Sequence, residues 1–517
     1  MRVLTGPWRG AAISSWCTGA RGDALAFSAG AVLPLAFAPF NLYALAMLAP
    51  ALLFFLWRDV TPGRAAWRGW LFGLGQFGVG VNWVYISIHT FGHAPAVLTA
   101  TLTLAFIAFL ALYPALLGAL TVRLFRNHNG WRGLVVWPAG WALLEWLRGW
   151  FLTGFPWLAL GYSQTDTPLA AYAPLLGVFG VSWLVAVAAG AITLLPRVSA
   201  ALVLLAIVGG GWALHRVDWT HAEGDARHVA LIQGNISQAV KWEPDQREPT
   251  LELYRDLTRA NWNHDLIIWP ETAVPIFYHQ VADDFIAGVQ QEARAENVDL
   301  LLGIPVLEQS DERYYNTMMS LGAQQGFYRK RHLVPFGEYL PWRPVLGWLL
   351  DFLRIPMSDF SAGAWQQPLL HAAGYPVSIS ICYEDAFGEE VIGDLPQAAY
   401  LVNVSNDAWF GDSLAPHQHL QIARLRALET GRYLLRATNT GISAIIGPKG
   451  ELLARSPQFQ VHVLSGDMQP MAGATPYVRW GNWAVVSVLS LLIGIALWRR
   501  PRNLDGTSGG LRRKRRA

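Results

Sequence analysis

The sequence predicts an integral membrane α-helical bundle of eight spans that carries a separate α/β domain on the extracytoplasmic side of the bilayer. Of 517 residues, 53% are hydrophobic and only 15% are charged, against roughly 25% charged residues in soluble domains. The chain contains 25 Trp and 49 Gly, a composition typical of membrane helices and their interfaces. All but five of the 36 acidic residues fall between positions 218 and 480. The chain therefore divides into apolar segments and one water-soluble segment.

Eight apolar runs outside the acidic segment approach the roughly 20 residues that cross a bilayer core. They lie at 24–40, 42–57, 67–88, 95–122, 131–149, 168–195, 198–214 and 482–498. The connections alternate between Arg-rich and nearly uncharged, and basic residues stay on the cytoplasmic side. The first run is read as a retained span, because removing it as a signal peptide would leave an odd number of spans. The pattern predicts spans one to seven in 1–217, an extracytoplasmic domain at 218–480, span eight at 481–498 and a basic cytoplasmic tail at 499–517.

The segment 218–480 has the pattern of a layered α/β fold. Short strand-like segments occur at 228–233, 266–269, 300–304, 377–381, 400–404 and 443–446, with helical patterns at 247–263, 281–297 and 415–431. The net charge of the chain is only +3, which argues against nucleic acid as a partner.

Three reactive side chains stand just beyond these strands or in loops rich in Pro, Gly and aromatic residues. They are Glu271 in the segment WPET, Lys330 in FYRKRHLVPFGEY and Cys382 in ICYED. Strand ends are where α/β folds place reactive groups. Singly, each has an ordinary structural explanation: a helix cap for Glu271, a solvated charge for Lys330 and a small buried apolar side chain for Cys382. Together they supply a base, a cation and a nucleophile, which is the minimum for acyl transfer through a thioester.

The cysteine and histidine patterns argue against metal sites and disulfides. Cys17 precedes the first apolar run and Cys382 lies in the α/β segment, which excludes a disulfide scaffold. Cys17 is interpreted as a thiol with no part in the chemistry. His417 and His419 lie near Asp412, but residues at i and i+2 do not share a helix face and no third ligand is indicated. No metal and no other cofactor is expected, because acyl transfer from an existing ester needs neither.

The order and spacing of the three motifs resemble the nitrilase superfamily, whose Glu-Lys-Cys triad lies at strand ends of an αββα sandwich. The segments QGN at 233–235 and NVSNDAWFG at 403–411 are also similar to that superfamily. A nitrilase-like domain inserted before the last of eight spans resembles the apolipoprotein N-acyltransferase family in particular. The segment HLVPFGEY at 332–339 strengthens this resemblance.

The resemblance implies a ping-pong transfer between two lipid substrates in a bacterial inner membrane, with catalysis in the periplasm. Cys382 would attack the sn-1 ester of a phospholipid, phosphatidylethanolamine being expected, and pass the acyl chain to the N-terminal amine of a diacylglyceryl-cysteine apolipoprotein. Glu271 matches the general base and Lys330 the oxyanion cation of the family. The resemblance also implies supporting or substrate-binding positions at Glu338, Tyr383, Glu384 and Trp242. The enzyme is expected to act as a monomer.

Some residues keep two interpretations. Glu338 is either structural or catalytic, and Trp242 is either a lipid-entrance residue or an interfacial anchor. The apolar segment 339–360 is either a mobile lip that dips into the outer leaflet or a core helix of the α/β domain. Within the spans, Gln76, Asn82, Glu145 and Arg148 either line a headgroup path or, for Glu145 and Arg148 at i,i+3, pair with each other.

Two other functions compete with acyl transfer to an amine. A membrane-tethered amidase or nitrilase would use the same triad but pass the acyl group to water, and the triad alone does not distinguish the two acceptors. Eight spans exceed what a soluble amide substrate requires. A transporter or scaffold with an inactive extracytoplasmic domain is the second alternative, and the presence of all three reactive side chains argues against it.

Overall fold

The computed structural model describes residues 19–125, 132–308, 310, 312–341 and 359–499. Helices dominate up to residue 214 and return after residue 482. The helices are α1 (Gly19–Val32), α2 (Leu45–Leu56), α3 (Pro62–Gly80), α4 (Val84–Phe91), α5 (Ala96–Leu124), α6 (Trp137–Arg148), α7 (Pro168–Ile192), α8 (Val198–Leu214), α9 (Pro244–Arg259), α10 (Ala287–Glu296), α11 (Ala415–Thr430) and α12 (Trp483–Trp498). Cys17 and the tail 500–517, to which two of the sequence predictions refer, lie outside the described residues.

The helical part contains a helix at each of the eight apolar runs, but the helices differ in length. Among the described residues, only α5 and α7 are single helices long and apolar enough to cross a membrane, and the pair α3 and α4, bent by 61°, would form a third span. The apolar helices α2, α8 and α12 are shorter. The helical bundle is therefore present, whereas the count of eight spans stays a prediction.

The strands of the described chain all lie between residues 220 and 473. They are β1 (Thr220–Ala222), β2 (Arg227–Gln233), β3 (Leu266–Ile268), β4 (Asp299–Glu308), β5 (Arg313–Leu321), β6 (Gly326–Arg329), β7 (Leu370–Ala372), β8 (Tyr375–Ile381), β9 (Tyr400–Ser405), β10 (Leu434–Thr438), β11 (Ala444–Ile446), β12 (Leu452–Arg455), β13 (His462–Met468) and β14 (Met471–Gly473). One six-stranded sheet has the order β13-β2-β3-β4-β5-β6, and a second has the order β12-β11-β10-β9-β8-β7. β1 and β14 form a separate two-stranded ladder.

The two six-stranded sheets pack face to face between layers of helices. Leu231 and Ile268 of the first sheet share a buried cluster with Ile379 and Val404 of the second. The outer face of the first sheet packs on α9 and α10, and the outer face of the second packs on α11. Alternate residues of each buried strand thus face two apolar layers, as the period-2 geometry of strands requires. The αββα sandwich expected from the resemblance is confirmed.

Helix α11 belongs to both parts of the molecule. One side of it, with Leu420 and Ala423, packs on the second sheet. The other side, with Ile422 and Leu425, joins the large apolar cluster of the helical bundle. Because α11 is buried on both sides, the sandwich and the bundle share a continuous packed interface.

Candidate active site

The fold brings together the three reactive residues singled out from the sequence. Lys330 directly follows β6 and Cys382 directly follows β8, while Glu271 lies three residues beyond β3. Glu271 Oε1 is 3.6 Å from Lys330 Nζ, and the charges of both residues act on the Cys382 thiol. Side chains from two facing sheets therefore form one cluster at the strand ends.

The Glu271 carboxylate is held by two uncharged donors as well as by Lys330. Its Oε1 accepts a hydrogen bond from Asn316 Nδ2 at 2.7 Å, and its Oε2 accepts one from the backbone N–H of Asn406 at 2.8 Å. The residue is only 7% exposed. These contacts fix the orientation of a carboxylate whose remaining lone pairs are available to accept a proton.

Lys330 is a buried cation, 1% exposed, that lies between two carboxylates. Its Nζ donates to Glu338 Oε1 at 2.8 Å, closer than its contact with Glu271. Burial alone would lower the pKa of Lys330, but the negative charges of Glu338 and Glu271 outweigh it and raise the pKa above its ordinary value. Lys330 is therefore an ammonium ion, suited to stabilise an oxyanion. Glu338 also accepts the Val334 N–H at 2.8 Å, so it fixes both the loop and the cation.

Cys382 occupies a strained turn directly after β8. Its φ of +53° lies in the left-handed region, which is uncommon for a residue other than glycine and is often found at functional sites. The side chain is partly buried. Burial raises the pKa of the thiol, Glu271 raises it further and Lys330 opposes the rise, so the pKa lies above its usual range. The resting thiol is therefore protonated, and Glu271, whose charge acts on it, is the candidate base.

Tyr383 and Glu384 fix the turn that contains Cys382. Tyr383 donates its hydroxyl to Gly154 O at 2.8 Å and stacks on Trp157 with ring centroids 5.9 Å apart, so it ties the turn to the helical part. The Glu384 carboxylate accepts four hydrogen bonds, so both of its oxygens are fully hydrogen-bonded. Its donors are the N–H groups of Ile381, Arg331 and His332 and the Tyr328 hydroxyl.

Trp242 is partly buried and follows a residue that contacts the site. That residue, Lys241, donates its Nζ to Thr272 Oγ1 at 2.9 Å and to Glu271 O at 3.4 Å. Burial lowers the pKa of Lys241 to about 8, against the opposing effect of Glu271.

Both halves of the chain match known family models. Residues 29–191 match the apolipoprotein N-acyltransferase N-terminal domain, and residues 228–477 match the carbon-nitrogen hydrolase family. The chain is 52% identical to the apolipoprotein N-acyltransferase of Methylococcus capsulatus, over 94% of this chain and 97% of that protein. It is 48% identical to the one of Nitrosomonas europaea, over 90% of this chain and 95% of that protein. The chain belongs to the apolipoprotein N-acyltransferase family.

Two solved structures illustrate the similarity of part of this chain to known folds. The Caenorhabditis elegans NitFhit protein has a TM-score of 0.39 and 17% identity, over 54% of this chain and 66% of that chain. Saccharomyces cerevisiae Nit3, a member of branch 10 of the nitrilase superfamily, has a TM-score of 0.37 and 17% identity, over 55% of this chain and 100% of that chain.

Several residues of the candidate site were not singled out from the sequence. Asn316 Nδ2 bridges Glu271 at 2.7 Å and Glu338 Oε1 at 3.3 Å. Lys241 holds the Glu271 peptide. Asn316 lies inside a strand, where its sequence neighbours carry no reactive signal. Asn406 is different, because it falls within the segment 403–411 that already resembled the superfamily.

His419 contacts two carboxylates and takes part in an ion-pair network. Its Nε2 lies 2.8 Å from Asp385 Oδ1, and its Nδ1 lies 3.1 Å from Asp407 Oδ1. In the described parts of the chain, no group of three or more His, Cys, Asp and Glu side chains is arranged to hold a metal ion. The His419 ring thus orients protein groups.

The charges of Glu145 and Arg148 act on each other, but each side chain makes its hydrogen bonds to other partners, so the two are not a self-contained pair. Glu145 Oε1 accepts from Trp141 Nε1 at 2.7 Å and from the Leu160 N–H at 3.0 Å. Arg148 Nη1 donates to Phe155 O at 2.8 Å and also to Trp157 O. The backbone of the loop 155–160 competes for both side chains. Both residues line a small cavity.

Residues 342–358, most of the predicted lip, lie outside the described residues.

Proposed function

We propose that the protein transfers a fatty acyl chain from a membrane phospholipid to the N-terminal amine of a diacylglyceryl-cysteine apolipoprotein, through a thioester on Cys382. The observation that carries the proposal is the convergence of Glu271, Lys330 and Cys382, since this cluster joins a base, a cation and a nucleophile. The names of the relatives identify apolipoprotein N-acylation as the family activity.

In the first half-reaction, Glu271 takes the thiol proton as Cys382 Sγ attacks the carbonyl carbon of the donor ester. We take this ester to be the sn-1 ester of phosphatidylethanolamine. The Lys330 ammonium stabilises the negative charge that develops on the carbonyl oxygen, together with a backbone N–H after Cys382. When the carbon–oxygen bond breaks, the proton on Glu271 passes to the leaving alkoxide. A lysophospholipid departs, and the acyl chain stays on sulfur.

In the second half-reaction, the acceptor amine attacks the thioester. Glu271 accepts a proton from the attacking nitrogen, and Lys330 again stabilises the oxyanion. The carbon–sulfur bond breaks, the thiolate regains a proton, and the product amide is released. No oxidant, nucleotide or metal enters this balance. Because the same site handles two lipids in turn, a ping-pong scheme follows.

The helical part supports a membrane role for this chemistry. Diacyl lipids do not leave a bilayer readily, since each buried methylene contributes about 0.8 kcal/mol. We therefore propose the arrangement expected from the charge pattern: spans within 1–217 and at 481–498, a periplasmic catalytic domain at 218–480, and the tail 499–517 in the cytoplasm of a bacterium. We propose that the enzyme acts as a monomer.

The test is to incubate the purified full chain with phospholipid that carries a labelled sn-1 chain. We expect a labelled acyl group on Cys382, detected by mass spectrometry, which discharges to an amide only when a diacylglyceryl lipopeptide is added. Cys382→Ala should abolish both signals. Steady release of fatty acid without lipopeptide would instead indicate a hydrolase. Normal lipoprotein maturation in cells that carry Cys382→Ala would refute the proposal.

A further inference from the structure

Lys241 is a buried cation that the proposed reaction does not use. Its side chain is 2% exposed, and its Nζ donates to Thr272 Oγ1 at 2.9 Å and to Glu271 O at 3.4 Å. Both partners are uncharged. Because a buried ammonium is costly unless its charge is offset, the offsetting negative charge must act from beyond hydrogen-bond distance.

The peptide that Lys241 holds is tightly constrained. Thr272 has a φ of +46°, an uncommon conformation for a β-branched residue. A Cβ at Gly303 of β4 would lie 2.4 Å from both Pro270 O and Thr272 N, so the loop packs directly on the backbone of the strand. Lys241 contacts the same loop through its side chain, and its own N–H is fixed to Ser237 O at 3.0 Å. The loop of Glu271 is thus clamped between β4 and the turn that contains Lys241.

The negative charges around Glu271 are not fully offset by Lys330, so a second positive charge would stabilise the site. Lys330 is shared, because its Nζ lies 2.8 Å from Glu338 and 3.6 Å from Glu271. The other groups that face Glu271, the Asn316 amide and the Asn406 N–H, are neutral. Cys382 becomes negative when it loses its proton, and the charge of Asp407 also acts on it. Without Lys241, the Lys330 ammonium would be the one positive charge among these groups to offset the carboxylates of Glu271 and Glu338 and the thiolate that forms on Cys382.

We propose that Lys241 is a positioning residue of this site, which fixes the Glu271 peptide and supplies the second positive charge while Cys382 gives up its proton. The assignment rests on the proposed function only for the role of Glu271 as the base. The lowered pKa of Lys241, about 8, agrees with it. The charge should therefore act below about pH 8 and disappear above it.

The test is the rate at which iodoacetamide alkylates Cys382 as a function of pH, in a Cys17→Ala background of the full chain in detergent. Lys241 carries its charge beside the Glu271 peptide, and removing this charge should make the Cys382 thiolate harder to form. Lys241→Met should therefore shift the profile to higher pH by about one unit, which is about tenfold slower alkylation on the acid side. The difference from the parent protein should shrink above about pH 8. Thr272→Val removes the hydrogen bond but keeps the charge and should leave the profile in place.

Lys449→Met is the matched control, because Lys449 pairs with Asp218 at the surface, and it should not move the profile. A uniform rate loss in Lys241→Met at all pH values, or an equal shift in Thr272→Val, would overturn the charge assignment. If Lys241→Met does not fold, Lys241→Arg tests the same claim, because arginine stays charged throughout this pH range. Its profile must match the parent profile below about pH 8 and show faster alkylation than the parent above it, where the lysine has lost its charge. The assay uses no lipid, so failure of acyl transfer with an intact pH shift would refute the proposed function and leave the Lys241 assignment standing.

Discussion

Behind Cys382, four ionisable side chains form a buried and electrically balanced group. Asp385 and Asp407 supply two negative charges, and Arg436 lies 3.4 Å from Asp385 Oδ2 and 3.0 Å from Asp407 Oδ2. Burial and Arg436 lower the pKa of His419, but the two carboxylates outweigh them and raise it to about 9. A protonated His419 therefore completes the balance, and its Nε2 also lies 3.2 Å from Cys382 O. Through this contact the network fixes the backbone of Cys382.

The pH dependence of stability tests this assignment. A histidine whose pKa rises from 6.5 to about 9 on folding contributes about 3 kcal/mol. This stability is fully present below pH 6.5 and is lost as the pH rises through about 9. His419→Gln should therefore lower the unfolding temperature much more at about pH 6 than at about pH 10. An equal penalty at both pH values, measured by thermal unfolding in detergent, would show that His419 is neutral in the folded protein.

Some residues of the candidate site could be predicted from their sequence context, and others could not. Glu271, Lys330 and Cys382 were singled out because each lies just beyond an apolar strand or in a loop rich in Pro, Gly and aromatic residues. Lys241 and Asn316 were missed, because their contacts with the Glu271 loop arise only from tertiary structure. A polar residue inside a strand has no reactive signature until its partner across the sheet is known.

At the scale of elements, the predictable strands were those with continuous apolar runs. β2, β3, β8 and β9 were predicted close to their observed bounds. β5 and β10 were missed because polar residues interrupt their pattern, Asn316 in the first and Arg436 in the second. In both strands the polar side chain is buried and bonded to the site or to the charge network. A buried polar residue whose partners come from tertiary structure therefore interrupts the apolar pattern by which a strand is predicted.

The contact of β4 with the loop of the candidate base yields a second prediction. Gly303→Ala places a methyl group 2.4 Å from Pro270 O and Thr272 N, and neither backbone atom can move without shifting Glu271. Overpacking of this kind costs about 1–3 kcal/mol. Because a displacement of about 1 Å at a catalytic group can slow a reaction about a hundredfold, we expect acyl transfer to fall by at least about tenfold. A transfer assay with labelled phospholipid and thermal unfolding in detergent, where the unfolding temperature should also fall, check both effects.

Gly288→Ala is the matched control for Gly303→Ala. It lies within α10, where the added methyl group meets only Arg255 Nη2 at 3.4 Å, the end of a flexible side chain. Alanine is the better helix former, so this variant should keep full activity and equal or higher stability. Full activity of Gly303→Ala would show that the loop adjusts freely and would contradict the clamped geometry.

At the scale of the whole molecule, α11 joins the catalytic sandwich to the helical bundle through polar contacts as well as packing. Glu429 Oε1 accepts the Val178 N–H at 2.6 Å, just after α7 breaks at Gly177 with a φ of +65°. The break frees a backbone donor, and a side chain from the sandwich satisfies it. The sequence predicted a helix at 415–431. It did not predict that both sides of this helix would be buried, because the partners of one side lie in the other half of the chain.

Gln418 makes the densest of these connections and gives the last prediction. Its Oε1 accepts from Trp83 Nε1 at 3.2 Å and from Trp157 Nε1 at 3.0 Å, and its Nε2 donates to Gly80 O at 2.9 Å. Gln418→Leu leaves buried polar groups without these partners, at about 1–3 kcal/mol for each group left unsatisfied. Gln291→Leu, the same change at an exposed helical position, should fall within about 0.5 kcal/mol of the parent.

We expect Gln418→Leu to lower the unfolding temperature and to reduce acyl transfer from phospholipid more than alkylation of Cys382 by iodoacetamide. The reason is that the interface sets the sandwich against the bundle, whereas the cluster of reactive residues lies within the sandwich. Equal loss of both reactions would mean that the interface and the reactive cluster form a single cooperative unit.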